Sequence, residues 1–110
     1  MTKLRQIRTI RIASKVVGVT QIESPQEDGV FGCYDSGTNT IFIYKGLSEQ
    51  EYARILLHEI FHVCLEFMGL AYQHDSFMTN EEYLANLFEA NTILMAIENR
   101  ENLIEIIRNL

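Results

Sequence analysis

The chain is poor in cysteine and proline and has no long apolar run. Two cysteines, Cys33 and Cys64, are too few for a disulfide framework, so the fold must rest on an ordinary hydrophobic core. Their scarcity fits reduced thiols in a small cytoplasmic protein. No stretch approaches the ~18–20 consecutive apolar residues of a membrane-spanning helix. The N-terminal segment MTKLRQIRTIRIASK holds no apolar run of signal-peptide length, which adds to the expectation of a soluble, cytoplasmic protein. Repeats and low-complexity segments are absent. A chain of 110 residues, 47% of them hydrophobic, is enough for one compact domain over 1–110 and not for two.

Acidic residues are missing from this N-terminal segment. Lys3, Arg5, Arg8, Arg11 and Lys15 supply five of the nine basic residues, and all fifteen acids follow them. Such a basic arm suits nucleic acid or an acidic partner. The plainer interpretation is a solvated strand whose cations discourage edge-to-edge pairing. Nucleic acid is the weaker expectation, because the remaining acidic chain would repel a polyanion.

The first 45 residues pattern as β-structure. Residues 7–13 alternate, and residues 15–22 are rich in β-branched types. The stretch 23-ESPQEDG-29 interrupts, with the only proline. Residues 30–34 and 40–44 predict two strands joined by the turn 35-DSGTN-39. From Leu47 the period changes. Ser48 with Glu51 fits a capping box and opens an apolar-rich helix that should end near Met68, with Gly69 as its cap. Thr79 with Glu82 is a second capping-box pattern, predicting a helix to about Ile97. Leu103, Ile104, Ile107 and Leu110 mark a third helix or an extension of the second. Strands followed by helices predict an α+β fold, a small N-terminal antiparallel sheet packed on two to three helices.

The stretch 56-LLHEIFHVC-64 carries the chemistry. On a helical wheel Ile55, His58, Glu59, His62 and Glu66 share one arc, and apolar residues cover the rest. Histidines four apart lie one above the other, so both imidazoles reach one ion. Neutral imidazole suits zinc, with Zn–N near ~2.0–2.1 Å. Glu59 is turned by 100° from His58 and lies beside such an ion. Zinc lowers the pKa of a bound water from ~15.7 to about 7. Glu59 can take that proton and deliver it to a leaving amine. The competing interpretation is a pair of core histidines bonded to backbone carbonyls, with Glu59 in an ion pair. Two buried, unmetallated histidines would need several separate hydrogen-bond partners.

A third ligand has to come from elsewhere. Downstream candidates are His74, Asp75, Glu81 and Glu82. Glu82, Asn86 and Glu89 share one helical face, so Glu82 as ligand places Asn86 one turn on, within reach of a ligand histidine. Glu82 also fits a purely capping role; Glu81 and His74 stay as alternatives. His74 and Tyr72 are further candidates for polarising a substrate carbonyl. Glu66 is read as a solvated acid at the cleft edge, and Cys64 as core. Tyr34 and Asp35 are candidates for lining the cleft.

His58-Glu59-Ile60-Phe61-His62, then nineteen residues, then Glu82 with Asn86, resembles the gluzincin pattern. The preceding strands and the stretch EYLANLFEA resemble the ImmA/IrrE-like metallopeptidases, including short versions from phages and mobile elements. The resemblance covers residues 38 to about 95. It implies a minimal zincin-like domain with the motif helix central. It further implies zinc held by His58, His62 and Glu82, with Glu59 as the base. Asn86 stands where the wider pattern has aspartate, and an amide is the weaker acceptor. No additional helix-turn-helix segment is present. By analogy with zincins, 40-TIFIY-44 is expected to be the edge strand that binds an extended substrate by β-augmentation. The expected substrate is then a protein or peptide, such as a regulatory repressor. Two other functions fit the same residues: a metal-binding interaction module without proteolysis, and a metal-free domain whose basic arm meets an acidic partner.

Overall fold

The computed structural model describes residues 3–12, 15–67 and 95–110. A 3₁₀ turn at Leu4–Gln6 leads into β1 (Thr9–Ile12), β2 (Lys15–Ile22), β3 (Gly32–Asp35) and β4 (Thr40–Tyr44). Helix α1 (Glu49–Phe67) follows, and α2 (Arg100–Arg108) lies near the C-terminus. The fold is α+β.

Alternation builds the sheet. Ile10 and Ile12 of β1, Val17 and Val19 of β2, and Ile41 and Ile43 of β4 all point into one core. Tyr52, Ala53, Leu56, Ile60, Val63 and Cys64 of α1 meet them, and Met95 and Ile106 complete the cluster. Each such aliphatic burial is worth about 1.5–3 kcal/mol before ordering costs. Cys64 is core, as its helical position predicts. Phe61, counted among the apolar residues that bury the helix, is 49% exposed, because α1 lays only one side on the sheet.

The sheet order is β1-β2-β4-β3. β1–β2 and β4–β3 are antiparallel, and β2–β4 is parallel. The antiparallel expectation therefore holds for the hairpins only. The chain leaving β2 passes beyond β4's position, forms β3, and turns back to slot β4 into the middle. This corrects the expectation for residues 40–44: β4 is paired on both sides, and β3 is the edge strand. Local alternation reads the same for a central strand and an edge strand, so it could not decide between them.

The β3–β4 turn is held by Asp35, whose carboxylate accepts the Gly37 N–H at 3.0 Å and the Thr38 hydroxyl at 2.9 Å. Asn39 closes it in the left-handed region (φ 54°), which its short amide tolerates. The α1 cap forms with Ser48 Oγ accepting the Glu51 N–H at 3.2 Å. The glutamate arm differs from the usual box: its carboxylate accepts the Ser48 hydroxyl at 3.0 Å. Gly69, Thr79 and most of the expected second helix lie outside the described residues. Residues 95–98 are helical, and Asn99 (φ −122°, ψ 26°) bends the chain into α2.

Asn99 is also the clamp on the other sheet edge. It is buried, accepts the Arg11 N–H at 2.7 Å and donates to the Arg11 carbonyl. Asn102 donates to the Thr9 carbonyl at 3.3 Å. The Arg11 N–H and carbonyl and the Thr9 carbonyl on the outer side of β1 are thus paired by side chains, where cations had been expected to discourage edge pairing. Arg5 departs from that expectation as well. Its guanidinium lies 4.6 Å from the Tyr52 ring centroid, donates to the Lys45 (2.9 Å) and Leu47 carbonyls, and pairs with Glu49. It ties the N-terminal turn to the loop that launches α1.

Two outcomes follow. Asn99→Leu leaves the Arg11 peptide groups unpartnered and should lower stability by about 1–3 kcal/mol in urea titration, with self-association in size-exclusion chromatography. Arg5→Ala should cost about 1–2 kcal/mol, discounted because the side chain is partly exposed.

Candidate metal centre and cleft

Helix α1 passes β3 at Gly32. A methyl group built there would come 2.4 Å from Ile55 Cγ2 and 3.4 Å from Glu59 Cγ. Only glycine lets the strand lie this close. The approach buries Glu59, which is 7% exposed, while His58 and His62 remain exposed on the adjoining stripe.

The histidine side chains converge. Their Nε2 atoms are 3.0 Å apart, with ring centroids at 4.6 Å and planes at 82°. At that separation one nitrogen donates a proton to the other, or both present lone pairs to one cation. Two imidazoles on a tetrahedral zinc would have their nitrogens about 3.3 Å apart, so the pair fits the ion with a shift of a few tenths of an ångström. A Glu59 carboxylate oxygen completes the group, with all three candidate atoms within 4.8 Å of one another. The competing picture of carbonyl-bonded histidines and an ion-paired Glu59 finds no such partner among the described residues.

A cleft of about 390 Å³ surrounds this group, lined by Gly32, Cys33, Tyr34, His58, Glu59, His62 and Glu66. Tyr34 joins it, whereas Asp35 is taken up by the turn. Tyr34 donates to Asn39 Oδ1 at 2.6 Å, and Asn39 in turn donates to the Val16 carbonyl at 2.9 Å. Burial raises the Tyr34 pKa, with the Glu66 and Asp35 carboxylates adding to it. Burial likewise pushes the Cys33 thiol up, with Glu59 and Asp35 contributing, and its sulfur lies 2.9 Å from Gln26 Oε1. Glu66 sits at the cleft rim.

The backbone of β3 matters as much. Tyr44 N–H donates to the Phe31 carbonyl at 2.8 Å. By ladder alternation Cys33 and Asp35 also face β4, and Gly32 and Tyr34 turn their N–H and C=O groups to the open side. No hydrogen bond occupies them among the described residues. The sequence reading missed Gly32 and could not argue for Tyr34, since both matter through a contact between a strand and a helix far apart in the chain. Glu82, Asn86, Glu81, His74, Asp75 and Tyr72 lie outside the described residues.

Residues 14–102 match the family model Peptidase_M78, the IrrE N-terminal-like domain. The chain belongs to this peptidase family, in agreement with the resemblance read from the motif. No curated protein matches it, and no solved structure does. Among the described residues no helix is long and apolar enough to cross a membrane.

His62→Ala should abolish stoichiometric zinc binding, measured by metal analysis of purified protein, with little change in the unfolding midpoint of the metal-free protein. Unchanged zinc content would contradict a site built on the histidine pair.

Proposed function

We propose that the protein is a zinc-dependent metallopeptidase that hydrolyses peptide bonds of a cytoplasmic protein partner, a regulatory protein such as a repressor being the model substrate. The observation that carries this is the Nε2 pair at 3.0 Å with the buried Glu59 beside it, in a cleft bordered by a strand edge that is unpaired among the described residues. Zinc suits two imidazole nitrogens and an open tetrahedral position. His58 and His62 hold it, with Glu82 as the third ligand and Asn86 orienting a ligand histidine.

When bound, zinc lowers the pKa of water and polarises the scissile carbonyl. The remaining work falls to the chain. Glu59, shielded by Gly32 and Ile55, accepts a proton from the attacking water and returns it to the departing amine. Gly32 and Tyr34 offer backbone donors and acceptors that align an extended substrate beside the histidines. The clamped β1 edge cannot compete for that substrate, because Asn99 and Asn102 already occupy it.

The test is Glu59→Gln. It should retain zinc and lose at least about 10²-fold in peptide hydrolysis, the contribution of a positioned general base. Full activity in that variant would sink the mechanism. Retained zinc with no cleavage by the wild-type protein would leave a metal-binding, non-proteolytic interaction module instead.

A further inference from the structure

Arg54, His58, His62 and Glu66 are spaced four apart and form one row along α1. The two outer members carry opposite charges, and among the described residues neither has an ion-pair partner. Arg54 lines a cavity of about 380 Å³ with Phe31, Leu47, Glu51, Ile55 and His58. Glu66 lines the catalytic cleft with Tyr34, His58 and His62. His58 borders both spaces, so they flank the histidine pair on either side. Glu51 also lies at the Arg54 end, but its carboxylate is engaged by the Ser48 hydroxyl at 3.0 Å. Among the described residues Arg54 is the only Lys or Arg lining either space.

β3 runs in the same sense as this row. Phe31 lies at the Arg54 cavity, Gly32 against Ile55 and Glu59, and Tyr34 at the Glu66 end. A chain adding to the open edge of β3 pairs best antiparallel. Its C-terminal half then passes Arg54, and its N-terminal half passes Glu66. The geometry points to a charge-polarised substrate groove, in which Arg54 selects an acidic residue on the C-terminal side of the cleaved bond and Glu66 a basic residue on its N-terminal side. This rests on the metallopeptidase reading. It adds a substrate class: extended segments running from basic to acidic across an apolar centre, whose side chains meet Phe31, Leu47 and Ile55.

The experiment uses two internally quenched peptides of identical composition. One has lysines before and aspartates after a common apolar centre; the other has the reverse order. Hydrolysis by the zinc-loaded protein and binding to zinc-loaded Glu59→Gln are measured for both. The basic-to-acidic peptide should win by roughly three- to thirty-fold in kcat/KM and in Kd, as expected for two exposed ion pairs. The advantage should fade in about 1 M salt, where the Debye length is ~3 Å. The double variant Arg54→Glu, Glu66→Lys should reverse the order. Equal values, a wild-type preference for the reversed peptide, an unreversed double variant, or no binding of either peptide would overturn the groove. Cleavage without discrimination sinks the groove and keeps the peptidase. Discriminating binding without cleavage sinks the peptidase and keeps the groove.

Discussion

The close approach of β3 to α1 at Gly32 is the contact on which the rest of the site depends. A helix carrying two stacked histidines can expose them anywhere on a surface. Here the strand lies so near that Ile55 and Glu59 occupy the space a side chain at position 32 would need. That contact buries Glu59, leaves the histidines open, and puts beside them backbone groups that are unpaired among the described residues. A larger residue at position 32 would have to push strand and helix apart, and would separate Glu59 and the histidine pair from the open edge of β3.

The two edges of the sheet are handled in opposite ways, and this division has functional content. At β1, the Asn99 amide satisfies both the N–H and the carbonyl of Arg11, much as a neighbouring strand would. At β3, Gly32 and Tyr34 keep their outward groups unpaired among the described residues. An unprotected edge invites association with other chains. In the proposed function its placement next to the histidine pair turns that tendency toward substrate alignment, and in the proposed groove the opposed charges of Arg54 and Glu66 supply a direction along it.

The parts legible in the sequence were those governed by short-range geometry. The Ser48–Glu51 cap, the Asp35–Asn39 turn, the strands and α1 all follow from residues within a few positions of one another. Asn99 was not legible as an edge clamp, because its partner Arg11 is 88 residues away and an isolated asparagine among helical residues suggests only a bend or cap. Arg5 looked like one more solvated cation of a basic arm. Its true partners, Lys45, Leu47, Glu49 and the Tyr52 ring, come together only when the N-terminal turn packs beside the start of α1. The strand order eluded pattern reading for a related reason: Ile41 and Ile43 would face the core whether β4 were central or at the edge.

By itself, the sequence determined that His58 and His62 converge, since the pitch of a helix brings residues four apart onto one line. It also determined that Glu59 stands beside them. Only the tertiary structure decided what they face. Strand order and the glycine contact depend on how distant segments pack, and they made β3, not β4, the wall of the cleft. The same packing placed the cavity lined by Arg54 and the cleft lined by Glu66 on either side of His58, the arrangement on which the proposed polarity rests.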